Sequence, residues 1–140
     1  MSRQTIKTPC IGLCSTVYGD LVCRGCKRFH HEIIHWNAYN EQEKRAVWLR
    51  LELLLVQVMT AKLAVFDAAR LREQLDQRKI RYLPEQSEYC WAYQLIARGA
   101  RQINQLDAYG MSLLPEFRHW ELPQLRDAID REFFLLSLAH

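Results

Sequence analysis

Four of the five cysteines lie within seventeen residues near the start of the chain, in two close pairs. The first pair is Cys10 and Cys14, and the second pair is Cys23 and Cys26. Thiolates at such short spacings can converge on one metal centre, and four of them complete a structural zinc site or hold an iron–sulfur cluster. The pattern therefore predicts a bound metal centre, and the softness of the sulfur ligands does not separate zinc from iron.

The residues between and inside the pairs favour tight turns. Gly25 lies within the C-x-x-C sequence, where we expect a positive φ and where a small residue lets backbone N–H groups reach the sulfurs. Tyr18-Gly19-Asp20 predicts a chain reversal that brings the two pairs together.

Cationic residues lie within the second pair and directly after it. Arg24, Lys27 and Arg28 are expected around the sulfurs, or on a basic face, where they offset a net charge of about −2 on four thiolates and a divalent ion. His31 and His35 are four residues apart and share one face of a short helix. They could bind a metal, but four sulfurs already complete a ligand set, so we expect both histidines to face solvent.

Two other interpretations of the cysteines are available. They could be small buried side chains, or they could form two disulfides, which would require an oxidising compartment. Met1 to Pro9 contains no apolar signal segment, so we expect a cytoplasmic protein with reduced thiols. Cys90 is far from the other four cysteines in sequence, and we interpret it as a core residue.

Composition bounds the fold and the partners. Nearly half of the 140 residues are hydrophobic, and only five glycines and four prolines are available for turns, which favours helices. The net charge is +3 and the basic residues are too scattered for a specific nucleic-acid footprint. The longest uncharged run in the middle of the chain is roughly half of a membrane span, so no membrane partner is expected.

Apolar periodicity predicts the helices. A short helix is expected over residues 29–36, and Asn40 is expected to cap a long helix that ends near Lys79, with a kink or break possible in its second half. Ser87 is expected to cap a helix whose apolar stripe runs to Leu106, with a close helix crossing at Gly99. Residues 107–110 end that helix, residues 111–120 form a loop or a short helical turn, and the last helix opens at residues 122–123.

The predicted fold class is therefore mostly α. A small N-terminal four-cysteine metal knuckle packs on a bundle of three to four helices. We expect a metal-binding module over residues 1–38 and a helical domain over residues 39–140, together forming one compact unit.

The cysteine motif is part of a longer pattern that resembles the bacterial DUF1289 family, whose members are predicted iron–sulfur proteins. The resemblance covers about residues 7–52. It rests on Pro9-Cys10-Ile11-Gly12-Leu13-Cys14, Cys23-Arg24-Gly25-Cys26, Arg28, Glu32-Ile33, Trp36, Glu43 and Trp48.

The resemblance implies that Cys10, Cys14, Cys23 and Cys26 carry the metal-binding role. Phe29 departs from the pattern, in which a threonine is usual. The rest of the chain is similar to the helical extension of longer gamma-proteobacterial members, and the family lends no reaction.

Two functions remain open. The first is a non-catalytic protein with an iron–sulfur cluster that transfers electrons or senses redox state or iron. The alternative is a structural zinc knuckle, with one Zn²⁺, on a helical module that binds a protein or RNA. No catalytic motif is visible, so an enzyme is not favoured. A protein partner is expected, whereas RNA is supported only by the basic residues near the cysteines and the nearby histidines.

Overall fold

The computed structural model describes residues 8–11 and 14–140, and these residues are mostly helical, as predicted. Within these residues, two short strands pair antiparallel with each other, and four short 3-10 turns lie between the other elements. The elements are α1 (His30–His35), α2 (Glu41–Thr60), β1 (Leu63–Val65), α3 (Ala68–Gln77), α4 (Glu88–Gly99), β2 (Met111–Leu113) and α5 (Leu122–Ala139).

Helix α2 begins where the sequence predicts. The Asn40 side chain accepts a hydrogen bond from the Glu43 N–H at 2.8 Å, and the Glu43 carboxylate accepts one from the Asn40 N–H at 3.1 Å. This reciprocal pair satisfies two N–H groups at the helix start. The segment predicted as one long helix is divided in two: α2 ends at Thr60, the chain passes through β1, and α3 ends at Gln77, close to the predicted end near Lys79. The break that the sequence allowed in the second half of this segment is thus confirmed.

The two strands were missed by the sequence analysis. β1 pairs antiparallel with β2, with Leu63 opposite Leu113 and Val65 opposite Met111. Residues 111–120 therefore form a strand followed by a 3-10 turn at Pro115–Phe117, and not only a loop or helical turn.

Helix α4 confirms one prediction and corrects another. The Ser87 hydroxyl accepts a hydrogen bond from the Tyr89 N–H and caps the helix, as expected. However, α4 ends at Gly99, well before Leu106. A Cβ at Gly99 would lie 3.3 Å from the Ile103 side chain, so this glycine leaves room for a residue four positions later rather than for a helix crossing.

The chain divides into two compact units. The cysteine unit comprises Met1–Leu54 and Phe133–His140. The strand unit, which contains β1 and β2, comprises Leu55–Glu132. Both divisions fall inside long helices, α2 and α5, whereas the sequence suggested a boundary near residue 38. No helix within the described residues is long and apolar enough to cross a bilayer.

Each unit has its own buried side chains. In the cysteine unit they include Val22, Cys23, Cys26, Trp36, Val47, Leu51 and Phe133. In the strand unit they include Met59, Leu63, Leu71, Leu75, Cys90, Leu95, Ile96, Met111, Leu125 and Ile129. Cys90 is therefore a core residue, as expected.

Candidate metal centre

The second cysteine pair lies in a closed turn. The Cys23 N–H donates to the Arg28 carbonyl at 2.9 Å, and the Lys27 N–H donates to the Cys23 carbonyl at 2.8 Å. The predicted positive φ at Gly25 is wrong, because Lys27 adopts the left-handed conformation with φ 68°. The chain must reverse after the second cysteine to pair Val22 with Phe29, and this places the strained residue at the end of the turn.

Backbone N–H groups surround the Cys23 sulfur, as the sequence predicted for this turn. Burial raises the pKa of the Cys23 thiol, but hydrogen bonds from the backbone N–H groups of Cys26, Ser15 and Gly25 oppose it. The Cys26 side chain adds a further hydrogen bond, and the net effect lowers the pKa of Cys23 to about 7. These donors stabilise negative charge on the sulfur, which is what a metal ligand requires.

The Cys26 sulfur has a cationic donor. Burial raises the pKa of the Cys26 thiol above its ordinary value, and the hydrogen bond and charge of Arg28 offset part of this rise. The Arg28 Nε lies 3.2 Å from the Cys26 sulfur and donates to it. Because the Cys23 and Cys26 side chains are also hydrogen-bonded to each other, the two sulfurs lie side by side.

The first pair is linked to this turn through Ser15. Its N–H donates to the Cys23 sulfur, and its hydroxyl accepts the Arg24 N–H at 2.8 Å. Cys14, the preceding residue, is half-buried, and its sulfur lies 2.9 Å from the Thr16 hydroxyl.

Cys10 is exposed, and its N–H donates to the Thr8 hydroxyl. Gly12 and Leu13, which separate Cys10 from Cys14, lie outside the described residues. None of the five cysteines, all of which lie among the described residues, forms a disulfide.

The structure brings part of the predicted ligand set together. Within residues 8–11 and 14–140, no three Cys, His, Asp or Glu side chains are close enough to hold a metal ion. The Cys23 and Cys26 sulfurs are adjacent. The N–H group of Ser15, the residue after Cys14, donates a hydrogen bond to the Cys23 sulfur. The four-cysteine knuckle as a whole stays a prediction.

The three predicted cations have different environments. Arg24 is exposed, pairs with Asp20 at 3.3 Å and lies over the Phe134 ring. Lys27 and Arg28 are only 1% and 3% exposed. A basic face built from all three is therefore wrong, because two of them turn inward.

Carbonyl groups of the cysteine turn account for the position of Lys27. Its ammonium group donates to the carbonyls of Arg24 and Gly25 and lies over the Phe133 ring at 5.5 Å. His31 and His35 are exposed, as expected, and His31 stacks on Phe29.

An ion pair that the sequence analysis missed supports the same region. Glu32 is buried, and its two oxygens accept from the Arg50 guanidinium at 2.6 and 2.7 Å. The Phe29 N–H also donates to Glu32 at 2.8 Å. Burial raises the pKa of Glu32, but the hydrogen bonds from Arg50 and Phe29 outweigh it and hold the pKa below its usual value. The only sequence signal was an acidic residue in the first turn of α1, because the partner lies eighteen residues away.

The donor set fits a metal centre in its chemistry. Sulfur ligands that receive backbone N–H bonds and a guanidinium hydrogen bond, in surroundings that exclude water, are typical of thiolate sites. Cys23 and Cys26 meet this description, whereas neither Cys10 nor Cys14 forms a group of three ligands with them among the described residues.

Comparison with known proteins agrees with the earlier resemblance. No curated protein and no solved structure matches this chain. Residues 8–54 match the model of a family described as "Protein of unknown function (DUF1289)". The matched segment contains the four clustered cysteines, α1 and the Glu32–Arg50 pair. The resemblance is thereby confirmed, and residues 8–54 are the part of this chain that matches the DUF1289 family.

Proposed function

We propose that Cys10, Cys14, Cys23 and Cys26 hold an iron–sulfur cluster and that the protein transfers electrons or senses redox state or iron. The observation that supports a metal centre is the Cys23 sulfur, which receives three backbone N–H groups beside a second buried sulfur, and the resemblance to the DUF1289 family favours a cluster over zinc. A buried thiol without a metal has little need of so many donors, whereas a thiolate ligand needs them to offset its charge.

A bound cluster would supply a one-electron redox couple whose potential depends on hydrogen bonds to the sulfurs, net charge and solvent exposure. The chain's own residues control these three properties. Ser15 and Gly25 contribute N–H groups, Arg28 contributes a positive charge, and the burial of Cys23 and Cys26 limits water access.

A structural zinc site is the second candidate, and the same pair of sulfurs supports it. Two thiolates on one tetrahedral ion with metal–sulfur bonds of about 2.3 Å lie roughly 3.8 Å apart. The mutual hydrogen bond of Cys23 and Cys26 is compatible with such a pair. This geometry suits one zinc ion, and it also suits one iron of a two-iron cluster. In the zinc case, the protein would be an interaction module.

The structure favours a protein over RNA as the partner of such a module. RNA binding depends on exposed basic groups, and Arg24 alone of the three cations around the cysteines is exposed. Buried Lys27 and Arg28 cannot reach a phosphate without leaving the turn.

The identity of the centre can be tested on the full chain. The protein is purified without oxygen, its visible absorption is recorded, and iron, sulfide and zinc are measured. Coloured protein with matching iron and sulfide supports the cluster. Colourless protein with one zinc per chain supports the zinc knuckle. Protein with neither iron nor zinc contradicts both candidates.

The ligands can be tested with two matched substitutions. Cys26→Ser is expected to lose the metal, because it removes a buried sulfur at the centre. Cys90→Ser is the control, since Cys90 is also buried but lies in α4 of the strand unit. It is expected to keep the metal content of the wild type. Full metal occupancy in Cys26→Ser would show that the ligand assignment is wrong.

A further inference from the structure

Arg28 is a permanently charged side chain in a buried position. It is 3% exposed, and a guanidinium does not lose its proton in a protein. Burying such a charge without an anionic partner costs several kcal/mol. The residues around Arg28 should therefore include a negative group.

No carboxylate within the described residues pairs with Arg28. Its side chain donates to the Cys26 sulfur through Nε and lies over the Trp36 ring at 5.0 Å. The nearest buried carboxylate in the chain order, Glu32, is engaged on both oxygens by Arg50. The ring attracts the cation only modestly, which leaves the cysteine sulfur as the group that can balance its charge.

We propose that Arg28 is a positioning residue that fixes the Cys26 sulfur toward the metal centre and offsets the negative charge of the thiolates there. This inference rests on the proposed function. It explains why an arginine is buried next to the C-x-x-C turn when two other cations of the region make ordinary contacts. Trp36 covers the guanidinium and keeps it directed at the sulfur.

Arg24 provides a matched control for this role. It lies inside the same turn and carries the same charge, but its side chain is 67% exposed and pairs with Asp20. Replacing Arg24 removes one positive charge from the turn without removing a hydrogen bond to sulfur. A difference between the two substitutions thus reports the contact of Arg28 with Cys26.

The test compares wild type, Arg28→Gln, Arg28→Lys and Arg24→Gln as full chains purified without oxygen. Metal content and circular dichroism are measured on each. If the wild type contains iron, Arg28→Gln should lower the reduction potential of the centre by about 59 mV for a one-electron couple. At a given solution potential, this is about a tenfold change in the ratio of oxidised to reduced centre toward the oxidised form. The reason is that the lost cation and hydrogen bond stabilise the more negative, reduced form. If the wild type contains zinc, transfer of zinc to a chromogenic chelator should be about tenfold faster.

The other variants decide between a local and a general effect. Arg28→Lys keeps the charge and should show an intermediate change, of about threefold, because the planar donor is lost. Arg24→Gln should stay close to wild type. If Arg28→Gln does not fold, the Arg28→Lys result carries the test, and identity with wild type would overturn the proposal.

The possible failures are distinguishable. If the wild type binds metal and the Arg28 and Arg24 variants behave alike, the role of Arg28 is overturned while the metal centre stands. If the wild type binds no metal, both proposals fail together.

Discussion

The Glu32–Arg50 pair offers a sharp test of what stabilises the cysteine unit. The Glu32 side chain is 6% exposed, whereas that of Arg50 is 24% exposed. Replacing Arg50 by Met leaves a carboxylate that water barely reaches. Replacing Glu32 by Ala leaves a guanidinium that water can partly reach. We therefore expect Arg50→Met to be the more destabilising substitution.

The size of each effect follows from the charge left behind. Removing one partner of a buried pair costs about 3–5 kcal/mol, and the exposure of Arg50 places Glu32→Ala near 3 kcal/mol. In Arg50→Met, the orphaned carboxyl group can take up a proton. Protonation at neutral pH limits the cost to about 4 kcal/mol, since the pH lies almost three units above the ordinary glutamate pKa.

The pH dependence adds an independent check. The folded-state pKa of Glu32 lies below its unfolded value, so its stabilising contribution is complete above the unfolded pKa and is lost as the pH falls through the folded pKa. The difference between wild type and Arg50→Met should therefore be largest at neutral pH and should shrink in acid. An opposite trend would contradict the assignment of Glu32 as the charged partner.

Hydrogen exchange measured by mass spectrometry on residues 22–54 reads the local free energy of opening, with metal content matched between samples. Arg45→Met is the control, because Arg45 forms an exposed pair with Glu41 on the same helix and should change stability by less than about 0.5 kcal/mol. The double variant of Glu32 and Arg50 should cost clearly less than the sum of the single variants. Single costs below about 1 kcal/mol, or additive effects, would refute the reasoning.

Two further predictions concern two glycines with positive φ and a tyrosine whose pKa is raised. Gly110 has φ 77°, and an added Cβ would overlap the Asp67 carbonyl oxygen, so Gly110→Ala should cost more than the roughly 1–2 kcal/mol of left-handed backbone alone. Gly19→Ala, at φ 100° with open space around it, should cost only that amount when both are measured by urea unfolding. Burial, with the charge of Asp130, raises the pKa of Tyr93 to about 12. The contribution of Tyr93 to the free energy of unfolding should be fully present below the ordinary tyrosine pKa of about 10. It should fall as the pH rises from there toward 12. Asp130→Asn should lower this pKa in an ultraviolet titration of the phenol, and an unchanged titration would show that Asp130 has no part in the shift.

The sequence predicted those features that depend on neighbouring residues. Asn40 and Ser87 cap helices because a side-chain oxygen two or three residues before a free N–H satisfies it locally. The clustered cysteines pointed to the DUF1289 family, which the match over residues 8–54 confirms.

Features that depend on distant residues were missed or misplaced. β1 and β2 are three residues each and pair across 46 to 50 positions, so neither shows a periodic pattern. The sequence predicts too long an α4, because Ile103 and Leu106 are apolar and continue its helical spacing. Both side chains are buried in the structure, but they lie beyond Gly99, where the helix ends.

The sequence by itself determined the mostly helical fold, the helix caps and the residues that could bind a metal, because local hydrogen bonding and side-chain chemistry govern these. Only the tertiary structure decided which charges face inward. Lys27 and Arg28 are buried because the folded cysteine turn presents carbonyl groups and a sulfur to them, and the Arg50 side chain on α2 reaches the Glu32 carboxylate on α1, eighteen positions earlier in the sequence. A cation is stable in the interior only where the fold supplies its acceptors, and those acceptors come from residues that sequence spacing does not connect.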